Sequence, residues 1–529
     1  MIPCMNPRQL LVTLALLPTA ATGALAQPLL NPPTAPPAAP GATGETPARR
    51  PTPAEELPAP FNRPRFGPLG NPSAELRRLG RATQNITEDA QDDWPELTKA
   101  IDAFISAHED VAGRPLRTPA GSLRPQVDLG LLYFWIGPDS IEEPTDDSRR
   151  AMERARAILE AMEKRGVVDQ LLALSESRGV VRPWTNDTML MNQPLTDLGN
   201  VRQIARALWL AMKLHAETGD WDRSVRDARA MCALARVYLR QAGLRERELG
   251  AQLAARTAEV IADIARADRS KHPPTDDALA AFDAALAALP PAEMAPAFAA
   301  HAIIARDAVA RCVAVDERPP NPGRERAMAQ VNDLFVRAKR LAESTPRTRP
   351  EVALAMANWA TTLPDEAVLV GIFGPELLRS MLTRDHAATV IPGVRTMIAI
   401  ERFRLRTGAY PQSIDDVLPS GDDNSEAKAR RSALADPFNP KDGPMSFRRL
   451  DPGSDPFGRS YVLYSLGSDF ADNNATMHPM SNLAAIDPSA GSDVDLIINL
   501  PLRRTMPKVP PAPAAEPANA PDGQPAAQP

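Results

Sequence analysis

The chain has 529 residues, of which 43% are hydrophobic and 24% are charged, a composition that suits roughly two or three globular domains. Its net charge of -6 and pI of 5.7 exclude the basic surface that is typical of nucleic-acid-binding proteins. Aromatic residues make up only 5% of the chain, so we expect a core of alanine and aliphatic side chains.

The N-terminus has the features of a secretory signal peptide. Arg8 supplies a positive charge, the apolar stretch LLVTLALL follows at 10–17, and an A-x-A motif ends at Ala26. We expect residues 1–26 to be removed by cleavage after Ala26, which predicts an exported protein, periplasmic or extracellular. The apolar stretch is too short to span a bilayer, and we find no other stretch of roughly 20 apolar residues. We therefore expect no transmembrane segment in the mature chain.

Two segments rich in proline and alanine flank the rest of the chain. The first covers residues 27–75 and the second covers residues 505–529. Because such a composition does not bury a core, we expect both to be disordered.

Residues 80–383 show helical periodicity and predict an irregular series of antiparallel helical hairpins. Proline pairs at 273–274, 290–291 and 319–320 predict helix boundaries, because proline lacks the backbone N–H that a helix needs. In the segment 198–216 the apolar residues that share one predicted face are Val201, Ile204, Ala205, Leu208 and Met212.

The turn at Gly219-Asp220-Trp221 resembles the joint between the two helices of a tetratricopeptide repeat. A single copy is recognisable, without the 34-residue period of a true repeat. The resemblance implies a helix–turn–helix unit at this point.

Two cysteines, Cys232 and Cys312, remain after the predicted cleavage, and both lie in helical patterns. In an oxidising compartment they can form a disulfide. The alternative is a pair of buried thiols in a helical core.

The sequence contains no recognisable catalytic motif. Its six histidines are scattered, and the zinc motifs, the nucleophile elbow and the phosphate-binding loop are missing. We therefore expect a protein that is not an enzyme. The alternative is a hydrolase whose site lies in the helical region, which would require a deep cleft with perturbed carboxylates or a pair of histidines.

Residues 385–504 differ in composition from the helical part. A last amphipathic helix runs to about residue 406, and the runs SYVLYSLG at 460–467 and DVDLIINLPL at 493–502 are typical of short strands. This pattern predicts a small, separate α+β domain behind a mainly α-helical region.

Four short motifs follow one another in this part: G-x-Y-P at 408–411, D-P-F-G-x-x-Y at 455–461, Y-S-L-G-S-D at 464–469 and D-V-D-L at 493–496. In their order and spacing they resemble the globular domain of the major pseudopilin of bacterial type II secretion. The whole chain looks like a bacterial exported protein that carries such a domain behind a helical region.

The resemblance implies a calcium ion in the loop between the last two motifs. The carboxylates that it assigns to this site are Asp469, Asp472, Asp493 and Asp495. Calcium takes about six to eight oxygen ligands from carboxylates, carbonyls and water. The family's glycine after the first aspartate is replaced here by Phe470. The alternative is a turn rich in Asp and Asn, in which the side chains accept hydrogen bonds from their own backbone.

Together these features predict a non-enzymatic structural or protein-binding protein of the bacterial cell envelope, with an envelope protein as its partner. The resemblance implies an alternative, which is a component of, or an adaptor to, a type II secretion-like apparatus.

Overall fold

The computed structural model describes residues 70–87, 92–119, 121–132, 146–177, 179–266, 272–312, 322–364, 367–418, 425–451, 453–455, 457–477, 485–487 and 493–500. The predicted signal peptide, its cleavage site after Ala26 and the tail 505–529 lie outside these ranges, as does most of the segment 27–75.

The described part of the chain is mainly helical with a small sheet, which confirms the prediction of a mainly α fold. The helices are α1 (Pro72–Thr83), α2 (Trp94–Ala112), α3 (Leu129–Leu132), α4 (Asp146–Lys164), α5 (Val167–Ala173), α6 (Thr196–Glu217), α7 (Trp221–Leu239), α8 (Leu244–Ile264), α9 (Asp276–Ala287), α10 (Ala295–Cys312), α11 (Pro322–Glu343), α12 (Arg349–Thr361), α13 (Val368–Thr407) and α14 (Ser425–Ser432). Short 3-10 helices cover Leu174–Glu176, Leu190–Asn192 and Ile414–Asp416. Within these ranges no helix is both long enough and apolar enough to cross a membrane.

The predicted helix boundaries are confirmed where the structure describes them. Helix α8 ends and α9 begins on either side of prolines 273–274, and α9 and α10 lie on either side of prolines 290–291. The Thr275 side chain accepts a hydrogen bond from the N–H of Ala278 at 3.1 Å, which fixes the start of α9. The pair at 319–320 lies outside the described residues.

The hairpin of α6 and α7 forms the centre of the larger core. Gly219 takes a left-handed φ of 76° in the turn, and the Asp220 carboxylate caps α7 by accepting from the N–H of Arg223 at 3.2 Å. The five apolar residues predicted to share one face of α6 are all buried, as expected for an amphipathic helix.

Helix α13 differs from its prediction. It begins at Val368 rather than near residue 385, and it continues through Pro375 and Pro392 for 40 residues. An interior proline costs about 3 kcal/mol in a helix. Burial along the whole length of α13, from Val370 to Ile400, offsets that cost. The predicted domain boundary at 383–385 therefore falls inside one continuous helix.

The C-terminal residues form a three-stranded antiparallel sheet of β1 (Ser446–Arg449), β2 (Tyr461–Ser465) and β3 (Leu496–Ile497). Strands β2 and β3 occupy the two predicted runs. Strand β1, which was not predicted, pairs Ser446 with Tyr464 along β2. Its sequence, SFRR, lacks the apolar alternation of a strand because it is an edge strand with two exposed arginines.

The sheet shares its core with the helices. Leu463 of β2 and Leu496 of β3 belong to the same buried cluster as Met397 of α13 and Leu234 of α7. Gly393 allows α13 to pack closely against the segment after β3. A Cβ added at Gly393 would lie only 2.7 Å from the side chain of Ile498.

Gly250 of α8 lies where α7 and α8 pack closely. A Cβ at this position would lie 2.4 Å from the backbone N of Leu239, and backbone atoms cannot swing aside. We expect Gly250→Ala to lower the free energy of unfolding by about 1–3 kcal/mol, as overpacking does. The measurement is denaturant unfolding of the full chain.

Gly199→Ala is the matched control, because a Cβ at Gly199 meets no atom within 4 Å. Alanine favours the helix over glycine by up to about 1 kcal/mol, so this variant should be at least as stable as the wild type. Equal destabilisation by both substitutions would contradict the close packing of α7 on α8.

Candidate functional site

The loop that leaves β2 is tightly turned at Gly467. This residue has a φ of 74°, and an added Cβ would lie 2.6 Å from the carbonyl oxygen of Ala485 and 2.7 Å from that of Val494. Only glycine fits here. Three further residues of the loop, Phe470, Asn474 and Ala475, also have positive φ values. The backbone is thus folded back on itself around the start of β3.

Asp495 lies at the centre of this loop and is 0% exposed. Its N–H donates to the carbonyl oxygen of Thr476 at 2.7 Å, and its Oδ1 accepts from the N–H of Asn473 at 3.5 Å. Its Oδ2 is buried and has no hydrogen-bond donor among the described residues. A buried carboxylate oxygen without a partner is unfavourable unless a cation or a proton satisfies it.

Asp472 lies close enough to influence Asp495 electrostatically. Its Oδ1 accepts hydrogen bonds from the Tyr464 hydroxyl and from the N–H of Asn474, both at 2.9 Å. Burial raises the pKa of Asp495 to about 6, and the negative charge of Asp472 adds to that rise, although backbone N–H groups such as that of Asn473 act against it. The two carboxylates therefore repel each other across a partly buried site.

The other two predicted ligands are exposed at the surface. Asp469 is exposed and accepts hydrogen bonds from the N–H of Ala471 at 3.1 Å and from Asn473 Nδ2 at 2.7 Å. This is the Asp/Asn turn that the sequence left open as the alternative. Asp493 is exposed and has no hydrogen bond or ion pair with any described residue.

The predicted carboxylates would hold a calcium ion only together with backbone and water oxygens. In the described ranges no three side chains of His, Cys, Asp or Glu converge as a metal site. Asp472 and Asp495 are the predicted ligands that come together. The unpartnered Oδ2 of Asp495 is the oxygen that a cation would satisfy, and calcium accepts carbonyl and water oxygens for the remaining positions.

Asp436 supports the same part of the sheet and was not singled out in the sequence. It is 1% exposed, and its carboxylate accepts from the Ser465 hydroxyl at 2.7 Å and from the N–H groups of Phe438 and Leu466. Burial raises its pKa. A clue was available, because Asp-Pro-Phe occurs twice, at 436–438 and at 455–457. In both copies the aspartate accepts from the N–H of the phenylalanine, an Asx turn.

Cys232 has a free, buried thiol. Burial raises the pKa of this thiol to about 12, which makes it unreactive. It belongs to the larger core cluster, whereas α10, which ends at Cys312, packs into the other cluster. The structure therefore shows Cys232 as a buried thiol, the alternative to the predicted disulfide with Cys312, and the side chain of Cys312 lies outside the described part.

One polar cluster in the helical region bears on the hydrolase hypothesis. Burial raises the pKa of Glu248, and Nε2 of His301 lies 3.5 Å from Oε2 of Glu376. However, Arg245 pairs with both glutamates. The cluster joins α8, α10 and α13, and its ion pairs explain it as a link between helices.

Arg182, a buried cation of the helical region, has a packing role. Arg182 contacts Asp197 Oδ2 and Glu246 Oε1, each at 2.6 Å. Its guanidinium also lies 5.0 Å from the ring centroid of Trp94 and 5.8 Å from that of Trp184. Its two carboxylate neighbours and the two aromatic rings indicate a role in stabilising the interior.

Comparison of the chain with protein-family models, with curated proteins and with solved structures finds no match.

The pKa of Asp495 predicts a pH dependence with a definite sign. Folding raises this pKa from 3.8 to about 6, so the folded state binds the proton more tightly than the unfolded state does. The favourable contribution of this group is complete below pH 3.8 and is lost as the pH rises through about 6. In calcium-free buffer at pH 7.5 we expect Asp495→Asn to be more stable than the wild type.

This gain should shrink as the pH falls from 7 to 4, and denaturant unfolding of both proteins across that range measures it. Asp493→Asn is the control, because it removes an exposed carboxylate that has no described partner. A stabilisation by Asp495→Asn that does not change with pH would contradict the assignment of the effect to the buried charge.

Proposed function

We propose that the chain is an exported, non-enzymatic structural or protein-binding protein of the bacterial cell envelope, and that one calcium ion stabilises its C-terminal sheet. The observation that carries the calcium part is the buried, unpartnered Oδ2 of Asp495 beside the charge of Asp472. Asp495 is buried and Asp472 is exposed beside it, and a divalent cation would neutralise both carboxylates.

The envelope location rests on the N-terminal sequence. Export also makes the calcium proposal coherent, because extracellular modules bind calcium with dissociation constants of about 0.1–1 mM or tighter. The helical hairpins serve as the scaffold and the binding surface in this proposal, with a protein of the envelope as the partner. The tetratricopeptide-like turn at Gly219 supports it, since hairpins of this kind are common in protein-binding scaffolds.

A second candidate is a component of, or an adaptor to, a type II secretion-like apparatus. It is favoured by the contact between two of the motifs that carry the pseudopilin resemblance. Helix α13 ends at Gly408 in a left-handed conformation, and the ring of Tyr410, two residues later, lies 5.1 Å from the ring of Tyr461. Co-purification with secretion components would favour this candidate over an independent scaffold.

Calcium should protect the C-terminal loop of the full chain. If the site binds with a dissociation constant of about 10 μM, 1 mM calcium stabilises the bound form by roughly 2.7 kcal/mol. We expect slower amide hydrogen exchange at residues 461–477 and 493–500 with calcium than with chelator. Hydrogen-exchange mass spectrometry measures this locally, so the helical core does not mask the effect.

Asp495→Asn should abolish this protection, and Asp493→Asn should leave it unchanged. Exchange that is equal in calcium and chelator for the wild-type protein would remove the calcium ion from the proposal. The loop would then be explained by its turns alone, with Asp469 hydrogen-bonded to Asn473.

The predicted export is tested separately in the producing cell. Edman sequencing of the mature protein should begin at Gln27, after the A-x-A motif, and the protein should fractionate with periplasmic or secreted proteins. Replacing Ala26 by a bulky residue such as tyrosine should leave the precursor uncleaved. A protein that retains its N-terminus in the cytoplasmic fraction would overturn the proposed location.

A further inference from the structure

A cavity of about 730 Å³ lies beside the C-terminal end of α2. Its walls come from the last residues of α2, from the turn after α2 and from α4. Four of its lining residues are arginines, Arg114, Arg117, Arg124 and Arg154, and no aspartate or glutamate is among the lining residues that the structure describes. We refer to it as the arginine cleft.

The turn that carries three of these arginines is held firmly. Arg117 and Leu123 form an antiparallel bridge, and the N–H of Arg124 donates to the carbonyl oxygen of Leu116 at 3.0 Å. Oε1 of Glu109 accepts from the N–H of Leu116 at 3.0 Å and from that of Arg117 at 3.3 Å. Because the backbone is fixed, the arginines are presented on a rigid surface, which lowers the entropy cost of binding.

Most of the positive charge in the cleft has no counter-charge. Arg117 pairs with Asp102 at 2.7 Å, but the guanidinium groups of Arg114, Arg124 and Arg154 make no ion pair or hydrogen bond with any described residue. By contrast, Arg165 binds both carboxylate oxygens of Asp110. The C-terminal end of α2 contributes a partial charge of only about -0.5. Three guanidinium groups thus have no ion pair among the described residues, and the Glu109 carboxylate, which accepts from the backbone of the same turn, is the nearest negative charge that the hydrogen bonds identify.

We propose that the arginine cleft binds a small ligand that carries two phosphate groups. A guanidinium is a planar fork that donates two parallel hydrogen bonds to phosphate oxygens. Two phosphate groups carry about -3 to -4 at neutral pH, which matches three uncompensated arginines. The volume falls in the range of about 300–1,000 Å³ that is usual for small-molecule sites. Either a free compound or a lipid headgroup could supply these phosphate groups.

Titration calorimetry of the mature full-length protein with inorganic pyrophosphate, in calcium-free buffer at low ionic strength, tests the proposal. We expect saturable binding that weakens as salt increases. The triple variant Arg114→Gln, Arg124→Gln, Arg154→Gln should weaken binding by at least about 100-fold, since charge-assisted hydrogen bonds to three groups are lost. Arg154→Lys keeps the charge but loses the fork, and it should weaken binding by about tenfold.

The matched control is the triple variant Arg326→Gln, Arg347→Gln, Arg430→Gln. These arginines are exposed, lie outside the cleft and have no described partner, so the variant changes net charge by the same amount. Its affinity should stay within about twofold of the wild type apart from the general charge effect. The proposal is overturned if the wild type does not bind, or if both triple variants lose affinity equally.

Vesicles distinguish the two sources of phosphate. Phosphatidylcholine vesicles with and without phosphatidic acid are sedimented with the wild type and with both triple variants. Binding that needs phosphatidic acid, is lost only in the cleft variant and is displaced by pyrophosphate identifies a lipid headgroup. Pyrophosphate binding without vesicle binding identifies a free ligand. Absence of binding to both probes overturns the proposal.

Discussion

Helix α13 packs into the two larger hydrophobic cores of the described residues, and it links the elements on either side of it. Val370, Phe373 and Leu377 in its N-terminal half belong to one core, and Val394 and Met397 in its C-terminal half belong to the other. Ion pairs hold the second half in place, since Arg395 and Arg402 contact Asp283 and Asp276 of α9 at 2.7 and 2.8 Å. One continuous helix therefore packs among the helical hairpins at its N-terminal half and against the C-terminal sheet at its C-terminal half.

This arrangement explains why the carboxylate of Asp495, in the segment that follows β2, is buried at an electrostatic cost. The sheet is anchored on α13 by close contacts such as that of Gly393 with Ile498, so β3 and the adjacent Asp495 are drawn into the interior. Burial of a charged carboxylate is costly unless a partner compensates it. A calcium ion between Asp472 and Asp495 would compensate it. Protonation is the competing solution at low pH, consistent with the pKa of about 6 for Asp495.

The arginines differ from the buried Asp495 in where their charge lies and in how it is paired. Several buried arginines of the helical part are paired, as Arg182 is with Asp197 and Glu246, and there they stabilise packing. At the arginine cleft the guanidinium groups of Arg114 and Arg124, on the turn after α2, and of Arg154, on α4, have no partner among the described residues. Uncompensated charge contributes little to folding, and the cleft therefore stands out as a surface available for an anionic ligand.

The sequence by itself determined what depends on neighbouring residues. The period of apolar residues placed α6 to α11, two proline pairs marked the boundaries between α8 and α9 and between α9 and α10, and the aromatic and β-branched run at Tyr461 placed β2. These features follow from local backbone preferences and from which face of an element is apolar. The presence of a mainly helical fold with a small sheet could be predicted on that basis.

Only the tertiary structure decided the rest. It kept α13 helical through Pro392, made a strand of the polar segment at Ser446 and left Cys232 unpaired. It also buried Asp495 while exposing Asp493, and it assembled arginines from two helical regions into one cleft. Each of these outcomes depends on the energy of contacts between residues far apart in the chain. That energy outweighs local backbone preference, and it cannot be predicted from the spacing of residues along the sequence.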